Sequence, residues 1–138
     1  MIITDTIGFI RKMPPEIIDV FHSVISEIKY SDTILLLTDP TDPVEDYLEK
    51  LQVSIDILKK IGVLEKPIIV SLNKKDLVSN ERLRSYKELT LNTMLENNVS
   101  TRDIIAISAL KGEGIDNLLM VLCKNIDHLT PRSNYSSK

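Results

Sequence analysis

The tetrapeptide Asn73–Asp76, with the sequence Asn-Lys-Lys-Asp, follows the apolar run Pro67–Leu72 and carries side chains suited to reading a nucleobase. Asp76 can accept two N–H donors from the Watson–Crick edge of guanine, an edge that adenine does not present. Asn73 can brace the loop, while the aliphatic stem of Lys74 can cover a face of the base. The same tetrapeptide is also ordinary turn chemistry after a strand, because Asn and Asp bind local backbone groups. The motif therefore predicts a guanine site but does not establish one by itself.

A second motif, with the sequence Asp-Thr-Ile-Gly, occupies Asp5–Gly8 directly after the apolar run Met1–Thr4. At a strand end, the carboxylate of Asp5 can hold a Mg²⁺-bound water, and the N–H of Gly8 can contact a γ-phosphate. The pattern Asp-x-x-Gly also occurs by chance in many chains. Alone, it indicates only a candidate phosphate-sensing turn.

A third motif, formed by Ser108, Ala109 and Leu110, follows the apolar run Ile104–Ile107. A backbone N–H of this motif can meet the guanine carbonyl. Leu110 stands where many GTP-binding domains have a lysine stacked on the base, so here an apolar side chain would have to cover that face. All three motifs lie at the carboxyl ends of candidate parallel strands, where open α/β sheets bind their ligands. Their shared position predicts a nucleotide-binding ancestry.

Together these motifs resemble the HflX family of ribosome-associated GTPases. The resemblance covers about residues 1–126 and rests on four segments: Asp5–Pro15, Asp39–Pro43, Asn73–Asp76 and Ser108–Gly114. Phe9 is the discriminating residue, because other translation-linked GTP-binding domains usually read Asp-Thr-Pro-Gly or Asp-Thr-Ala-Gly, and Ras-like ones place a glutamine after the glycine. The matched segments correspond to the later part of the family's G domain.

The resemblance implies a cytoplasmic protein that binds GTP and GDP with Mg²⁺ and acts with the large ribosomal subunit. The implied nucleotide-binding residues are Asp5, Gly8, Asn73, Lys74, Asp76, Ser108, Ala109 and Leu110, with Asp5 holding Mg²⁺ through water. Gly8 and Phe9 form the implied catalytic region. Phenylalanine cannot orient the attacking water as the Ras-type glutamine does, so hydrolysis would stay slow until the ribosomal partner orders the site. The alternative is that Phe9 packs under the following helix.

A phosphate cradle is missing from these 138 residues. Such a cradle needs Gly-x4-Gly-Lys-Ser/Thr at the start of a helix, where backbone N–H groups surround the β-phosphate. No pair among the 4 glycines has the five-residue offset that the motif requires. We therefore expect GTP hydrolysis only if the missing half is supplied. Two other interpretations stay open: a non-catalytic α/β interaction module without nucleotide binding, and a piece cut from a longer chain.

Composition indicates an ordinary globular domain, with 43% hydrophobic and 27% charged residues. The net charge of −3 supplies no field for binding nucleic acid by itself. Cys123 falls in a helical pattern, which predicts a buried small hydrophobe. His22 and His128 have no cysteine partners, so metal ligation by them is not expected. No apolar run is long enough to span a bilayer, and no signal peptide is expected.

Strands and helices alternate along the sequence, which predicts an α/β fold with three layers, a mostly parallel sheet flanked by helices. By resemblance this would be a partial Ras-like P-loop GTPase fold, with residues 1–129 as the partial G domain and 130–138 as a flexible tail. The predicted strands are Met1–Thr4, Thr33–Thr38, Pro67–Leu72 and Ile104–Ser108. The predicted helices run from Pro15 to about Lys29, from Pro43 to Gly62 with Asp42 as cap, over about Asn80–Asn97, and from about Gly114.

In Ras-like domains, the strand that precedes the phosphate cradle separates the strand ending at Asp5 from the strand ending at Asp39. Its removal would leave two facing rows of unpaired backbone groups, which is costly. We expect Met1–Thr4 to pair directly with Thr33–Thr38 or to fray, with self-association through the incomplete sheet as concentration rises. Insertion of a strand from a neighbouring chain is the third way to relieve the gap.

Overall fold

The computed structural model describes residues 1–4 and 25–127. Strands and helices alternate in this part of the chain, as predicted. The elements are β1 (Ile34–Thr38), α1 (Val44–Ile61), β2 (Ile68–Leu72), α2 (Asn80–Glu96), β3 (Thr101–Ala106) and α3 (Ile115–Asp127). A short 3₁₀ helix, Lys75–Leu77, connects β2 to α2, and residues 25–30 are helical. None of the helices in this part is long and apolar enough to cross a membrane.

The three described strands form one parallel sheet in the order β1-β2-β3. In the first pairing, Ile34 lies opposite Ile68 and Thr38 lies opposite Leu72. β2 is buried at every position, because it has a neighbouring strand on each side and a covered face above and below. The predicted α/β class with a parallel sheet flanked by helices is confirmed.

Two hydrophobic clusters cover opposite faces of β2. Its alternate residues Ile68, Val70 and Leu72 belong to the larger cluster, which includes buried side chains of α1 and α2. Ile69 belongs to the smaller cluster with Leu118 and other apolar residues of β3 and α3. Since successive strand side chains point to opposite faces, α1 and α2 cover one face of the sheet and α3 covers the other.

The start of α1 differs from the prediction. Pro43 holds the N-cap position with φ −54° and ψ 149°, and no side chain caps this helix. Because Pro43 takes the boundary position, Asp42 lies one residue too far out to cap, and its carboxylate instead accepts a hydrogen bond from Lys50 Nζ at 2.7 Å. The predicted end is confirmed: Gly62 has φ 78°, and its N–H contacts the carbonyls of the last turn.

The other two helices agree with their predicted positions. α2 is capped by Ser79, whose hydroxyl accepts a hydrogen bond from Arg82 N at 3.1 Å. α3 buries Leu118 and Leu122, as its periodicity predicts. The prediction for Cys123 is wrong, because this thiol is exposed. One residue after Leu122, the helix has turned about 100°, which removes Cys123 from the buried stripe.

The predicted first strand, Met1–Thr4, is wrong. These four residues form neither helix nor strand and are all exposed, and Ile2 is 93% exposed. Among the described residues β1 pairs with β2 alone, so direct pairing of Met1–Thr4 with β1 is wrong as well. A four-residue segment gains few hydrogen bonds and little apolar burial from an edge, which explains why it does not pair with β1.

Two further differences concern the ends of predicted elements. β3 begins earlier and ends earlier than predicted, because Thr101 already pairs with Ile68, while Ser108 leaves the sheet to bridge with Glu113. Most of the predicted helix from Pro15 to Lys29 lies outside the described residues, and so do His22, His128 and the predicted tail 130–138.

Candidate functional site

The carboxyl ends of β1, β2 and β3 meet at one edge of the sheet, and each strand continues there into a polar loop. We call these loops the Asp39 loop (39–42), the Asn73 loop (73–76) and the Ser108 loop (108–113). In a parallel sheet neighbouring strands end side by side, so the three loops are adjacent. They bring together two groups of predicted site residues: those that follow β2 (Asn73, Lys74 and Asp76) and those that follow β3 (Ser108, Ala109 and Leu110).

Asn73 links two of these loops. Its backbone N–H donates to the carbonyl of Thr38 at 2.9 Å. Its side-chain oxygen accepts hydrogen bonds from the backbone N–H of Lys74 at 2.8 Å and from that of Ala109 at 3.0 Å. The bracing role expected for Asn73 therefore extends to the Ser108 loop, 36 positions away.

The Ser108 loop is a closed turn. Ser108 and Glu113 exchange two backbone hydrogen bonds, at 2.9 and 3.1 Å, and the Ser108 hydroxyl accepts one from the N–H of Lys111 at 3.2 Å. Gly114 leaves this turn with φ +75°, and a Cβ there would lie 2.7 Å from the carbonyl oxygen of Ala106. Only glycine fits that position without displacing the backbone of β3.

Asp76 is the last residue of the Asn73 loop and faces the Ser108 loop, with only 6% of its side chain exposed. The hydroxyl of Ser108 lowers the pKa of Asp76 below its ordinary value, with a further contribution from Lys111, against the opposing effect of desolvation. Lys111 Nζ lies 3.8 Å from Asp76 Oδ2. The result is an ionised acceptor at the loop junction, the chemistry needed to receive two N–H donors.

Lys74 and Leu110, the two residues predicted to cover the base, belong to the same two loops as Asp76 and Ser108. Lys74 has a left-handed backbone conformation with φ 63° and directs its Nζ to Asp39 Oδ2, a hydrogen bond of 2.5 Å. That bond raises the pKa of Lys74. Leu110 is 91% exposed. Both residues predicted to cover the base are therefore accessible at this edge of the sheet.

The motifs in the sequence did not identify the Asp39 loop, or Arg82 that binds it, as part of the site. Asp39 Oδ1 accepts hydrogen bonds from Thr41 N at 2.9 Å and from its hydroxyl at 2.6 Å. Arg82 on α2 donates to the carbonyls of Pro40 at 2.7 Å and Asp42 at 2.8 Å. The segment Asp39–Pro43 contributed only to the resemblance, and no spacing rule connects an arginine to carbonyls about 40 positions earlier.

A buried network of hydroxyl groups connects the end of β1 to α1 and α2. Tyr47 is almost fully buried, and its hydroxyl lies 2.6 Å from Thr90 Oγ1 and donates to Thr38 Oγ1 at 3.1 Å. Burial raises the pKa of Tyr47. The ring of Tyr47 meets that of Tyr86 edge-on, with centroids 4.8 Å apart. The last residue of β1 is thus tied to both α1 and α2.

The first predicted motif, with Asp5 and Gly8, lies outside the described residues, and so does Phe9. Within residues 1–4 and 25–127, no group of three or more His, Cys, Asp or Glu side chains is placed to hold a metal ion.

Comparison with known proteins gives the site a context. Residues 19–128 match the family model of the elongation factor Tu GTP binding domain. A GTPase HflX of Saccharolobus solfataricus is 42% identical over 118 residues, which are 84% of this chain and 32% of that relative. A GTPase HflX of Thermococcus kodakarensis is 38% identical over 79% of this chain and 25% of the relative. The chain thus spans a third or less of the length of these relatives.

Solved structures agree with this comparison. The crystal structure of a GTP-binding protein from the hyperthermophilic archaeon Sulfolobus solfataricus in complex with GDP matches with a TM-score of 0.78 and 38% identity, over 91% of this chain and 40% of that one. The elongation factor SelB of Methanococcus maripaludis with a GTP analogue matches with a TM-score of 0.62 at 23% identity, over 86% of this chain and 25% of SelB, and shows the fold alone. The architecture is thus that of a partial P-loop GTPase fold.

Proposed function

This chain belongs to the HflX family of GTPases, and we propose that it binds the guanine base of GTP or GDP with the three loops at the carboxyl edge of its sheet. The observation that carries the proposal is the junction of two loops. Asn73 joins them through Ala109 N at 3.0 Å, and the largely buried carboxylate of Asp76 lies beside Ser108. A rigid, ionised acceptor at a strand end is suited to the two N–H donors of guanine.

Each predicted residue then has a role. Asp76 accepts the two N–H groups of the base, while Lys74 and Leu110 cover its two faces. The N–H of Ala109 is already bonded to Asn73, so the guanine carbonyl is met either by sharing this N–H or by the N–H of Leu110. Ser108 keeps Asp76 ionised rather than touching the base.

Hydrolysis and its requirements are further proposals. Asp5 would hold Mg²⁺ through a water, Gly8 would contact the γ-phosphate, and the ion would supply charge compensation for that phosphate. Because these 138 residues contain no Gly-x4-Gly-Lys-Ser/Thr sequence, we propose that hydrolysis depends on a phosphate cradle from outside them. By family resemblance, the partner that orders the catalytic region is the large ribosomal subunit, and the location is the cytoplasm.

A proposal for self-association comes from the edge of the sheet that β1 forms. In the part that the structure describes, β1 pairs only with β2, and Leu37 of β1 is 58% exposed. Strand edges of this kind pair with other chains. We propose that copies of this chain associate through β1 as concentration rises, unless a further strand of a longer polypeptide covers it.

A titration followed by amide chemical shifts tests the proposed function, with ADP as the matched control for GDP. Without a cradle, only base contacts and a single glycine contact remain, so the dissociation constant for GDP should lie near the millimolar range, about −4 kcal/mol. The amides of the Asn73 and Ser108 loops should shift with GDP and not with ADP. Equal shifts with both nucleotides, or shifts confined to other residues, would refute guanine recognition here.

A further inference from the structure

The ion pair between Lys74 and Asp39 joins two loops that the motifs treat as separate. Lys74 Nζ donates to Asp39 Oδ2, and the two residues are 35 positions apart in sequence. The ammonium group is therefore held at the end of β1, while the Lys74 backbone belongs to the end of β2. Between these two fixed ends, the aliphatic stem has to cross the edge of the sheet.

Asp39 is itself held in place by its own loop. Both the backbone N–H and the hydroxyl of Thr41 donate to Oδ1, which leaves Oδ2 for Lys74. Partial burial disfavours the charged carboxylate, but the hydrogen bonds from Lys74 and Thr41 outweigh it and hold the pKa of Asp39 below its ordinary value. The carboxylate is thus a charged and oriented acceptor.

The loop that carries Asp39 is fixed from α2. Arg82 Nε donates to the carbonyl of Pro40, and Arg82 Nη2 donates to that of Asp42 and to the hydroxyl of Tyr86 at 2.9 Å. Tyr86 in turn donates to the carbonyl of Asp42 at 2.6 Å. The guanidinium carbon lies 4.8 Å from the centroid of the Tyr86 ring. Several bonds therefore restrain the Asp39 loop, whereas the end of Lys74 has one ion-pair partner, Asp39, among residues 1–4 and 25–127.

We propose that Asp39 is a positioning residue for base recognition, which fixes the Lys74 stem as one wall of the guanine pocket before nucleotide arrives. The proposal rests on the proposed function. A free lysine loses rotamer freedom when it covers a ligand, and a side chain already ordered by an ion pair loses less. Asp39 therefore acts through Lys74 and does not contact the base.

The chain offers a control carboxylate outside the three loops. Asp39→Asn removes the charge at nearly constant size, and Asp56→Asn does the same to an exposed carboxylate on α1 that accepts a hydrogen bond from Gln52. Asp39→Asn should weaken GDP binding by about two- to fivefold, because an unrestrained Lys74 loses more rotamer freedom when it covers the base. Asp56→Asn should leave GDP binding unchanged. Equal affinities of the two variants would overturn the positioning role.

A second variant separates positioning from simple stabilisation. Exchanging the charges, with Asp39→Lys and Lys74→Asp together, permits the ion pair again, and aspartate tolerates the left-handed conformation at position 74. The melting temperature should recover relative to the single variants, but GDP affinity should remain reduced because the stem no longer starts from the Asn73 loop. Recovery of both properties would show that only the ion pair matters.

Two controls keep this result distinct from a failure of the proposed function. If the unaltered chain shows no guanine-selective shifts, base recognition itself is wrong and the role of Asp39 falls with it. If Asp39→Asn does not fold, Thr41→Val removes one hydrogen bond to Asp39 without changing charge. A folded Thr41→Val variant should show weaker GDP binding, and unchanged affinity in that variant would contradict the role of Asp39.

Discussion

The carboxyl edge of the sheet and the outer side of β1 differ in how many contacts the described residues make there. At the carboxyl edge, hydrogen bonds and ion pairs connect three loops to one another and to α2. On the outer side of β1, Leu37 is exposed, and residues 1–4 are exposed and form no strand. The difference teaches that β1, β2, β3 and α2 are enough to organise the edge of the sheet where we propose that the base binds.

The phosphate-binding half of a GTPase site is not provided by the described residues. Its predicted residues, Asp5 and Gly8, lie outside the described part, and no cradle sequence occurs in the 138 residues. The matched GDP complex is more than twice as long as the segment that this chain covers, since the match spans 40% of it. From the comparison of the two regions, we expect substitutions at the carboxyl edge to change the free energy of unfolding and substitutions on the outer side of β1 to change self-association.

The largest expected effect on stability is at Gly114, which connects the Ser108 loop to α3. Gly114→Ala combines a left-handed conformation with a 2.7 Å contact to the Ala106 carbonyl, and should cost about 2–5 kcal/mol of unfolding free energy. Gly112→Ala is the control, because it has the same conformation and no atom within 4 Å of the added Cβ. It should cost about 1–2 kcal/mol. Urea denaturation of both variants measures the difference, and equal costs would mean that the loop has room to adjust.

The next effect concerns the link between two loops. Asn73→Ala removes the acceptor for the N–H groups of Lys74 and Ala109 and should cost about 1–3 kcal/mol. Amide exchange at Ala109 should also accelerate. Asn125→Ala is the control, since that side chain bonds to the carbonyl of Val121 within its own helix, and should change stability by less than about 0.5 kcal/mol. Unchanged exchange at Ala109 in Asn73→Ala would show that the loops are held together by other contacts.

A smaller effect on stability is expected on the outer side of β1. Leu37→Lys places a charge on an exposed strand residue and should change the unfolding free energy by less than about 0.5 kcal/mol. Sedimentation of the unaltered chain should show mass rising with concentration, and Leu37→Lys should suppress that rise. Leu95→Lys, at an exposed position of α2, should not. A chain that stays monomeric at all concentrations would end the proposal of association through β1.

The smallest effect is on acid stability. Because the pKa of Asp39 in the folded chain lies below its ordinary value of 3.8, its ion pair stabilises the fold above that value. The contribution is lost as the pH falls through the lower, folded-state pKa. Melting temperatures between pH 6 and pH 2 should therefore fall more steeply for the unaltered chain than for Asp39→Asn. Parallel curves would show that the ion pair with Lys74 does not stabilise the folded state.

Sequence reasoning recovered what depends on local pattern. Apolar periodicity located α1, α2 and α3, and polar residues after apolar runs located two of the three loops. It failed where the outcome depends on distant partners. Met1–Thr4 has the composition of a strand, but a strand needs a neighbour, and Arg82 binds carbonyls about 40 positions away that no pattern connects to it. Asp42 was misassigned as a cap because Pro43 took the boundary position.

Base specificity of Asp76 is the central claim, and Asp76→Asn tests it most directly. An amide at this position presents a donor that suits the second carbonyl of xanthine and no longer accepts both N–H groups of guanine. Amide-shift titrations with GDP and xanthosine diphosphate should show that the unaltered chain prefers GDP. In Asp76→Asn the preference should reverse, with GDP binding about fivefold weaker or more. A folded Asp76→Asn variant that still prefers GDP would contradict guanine reading by the Asn73 loop.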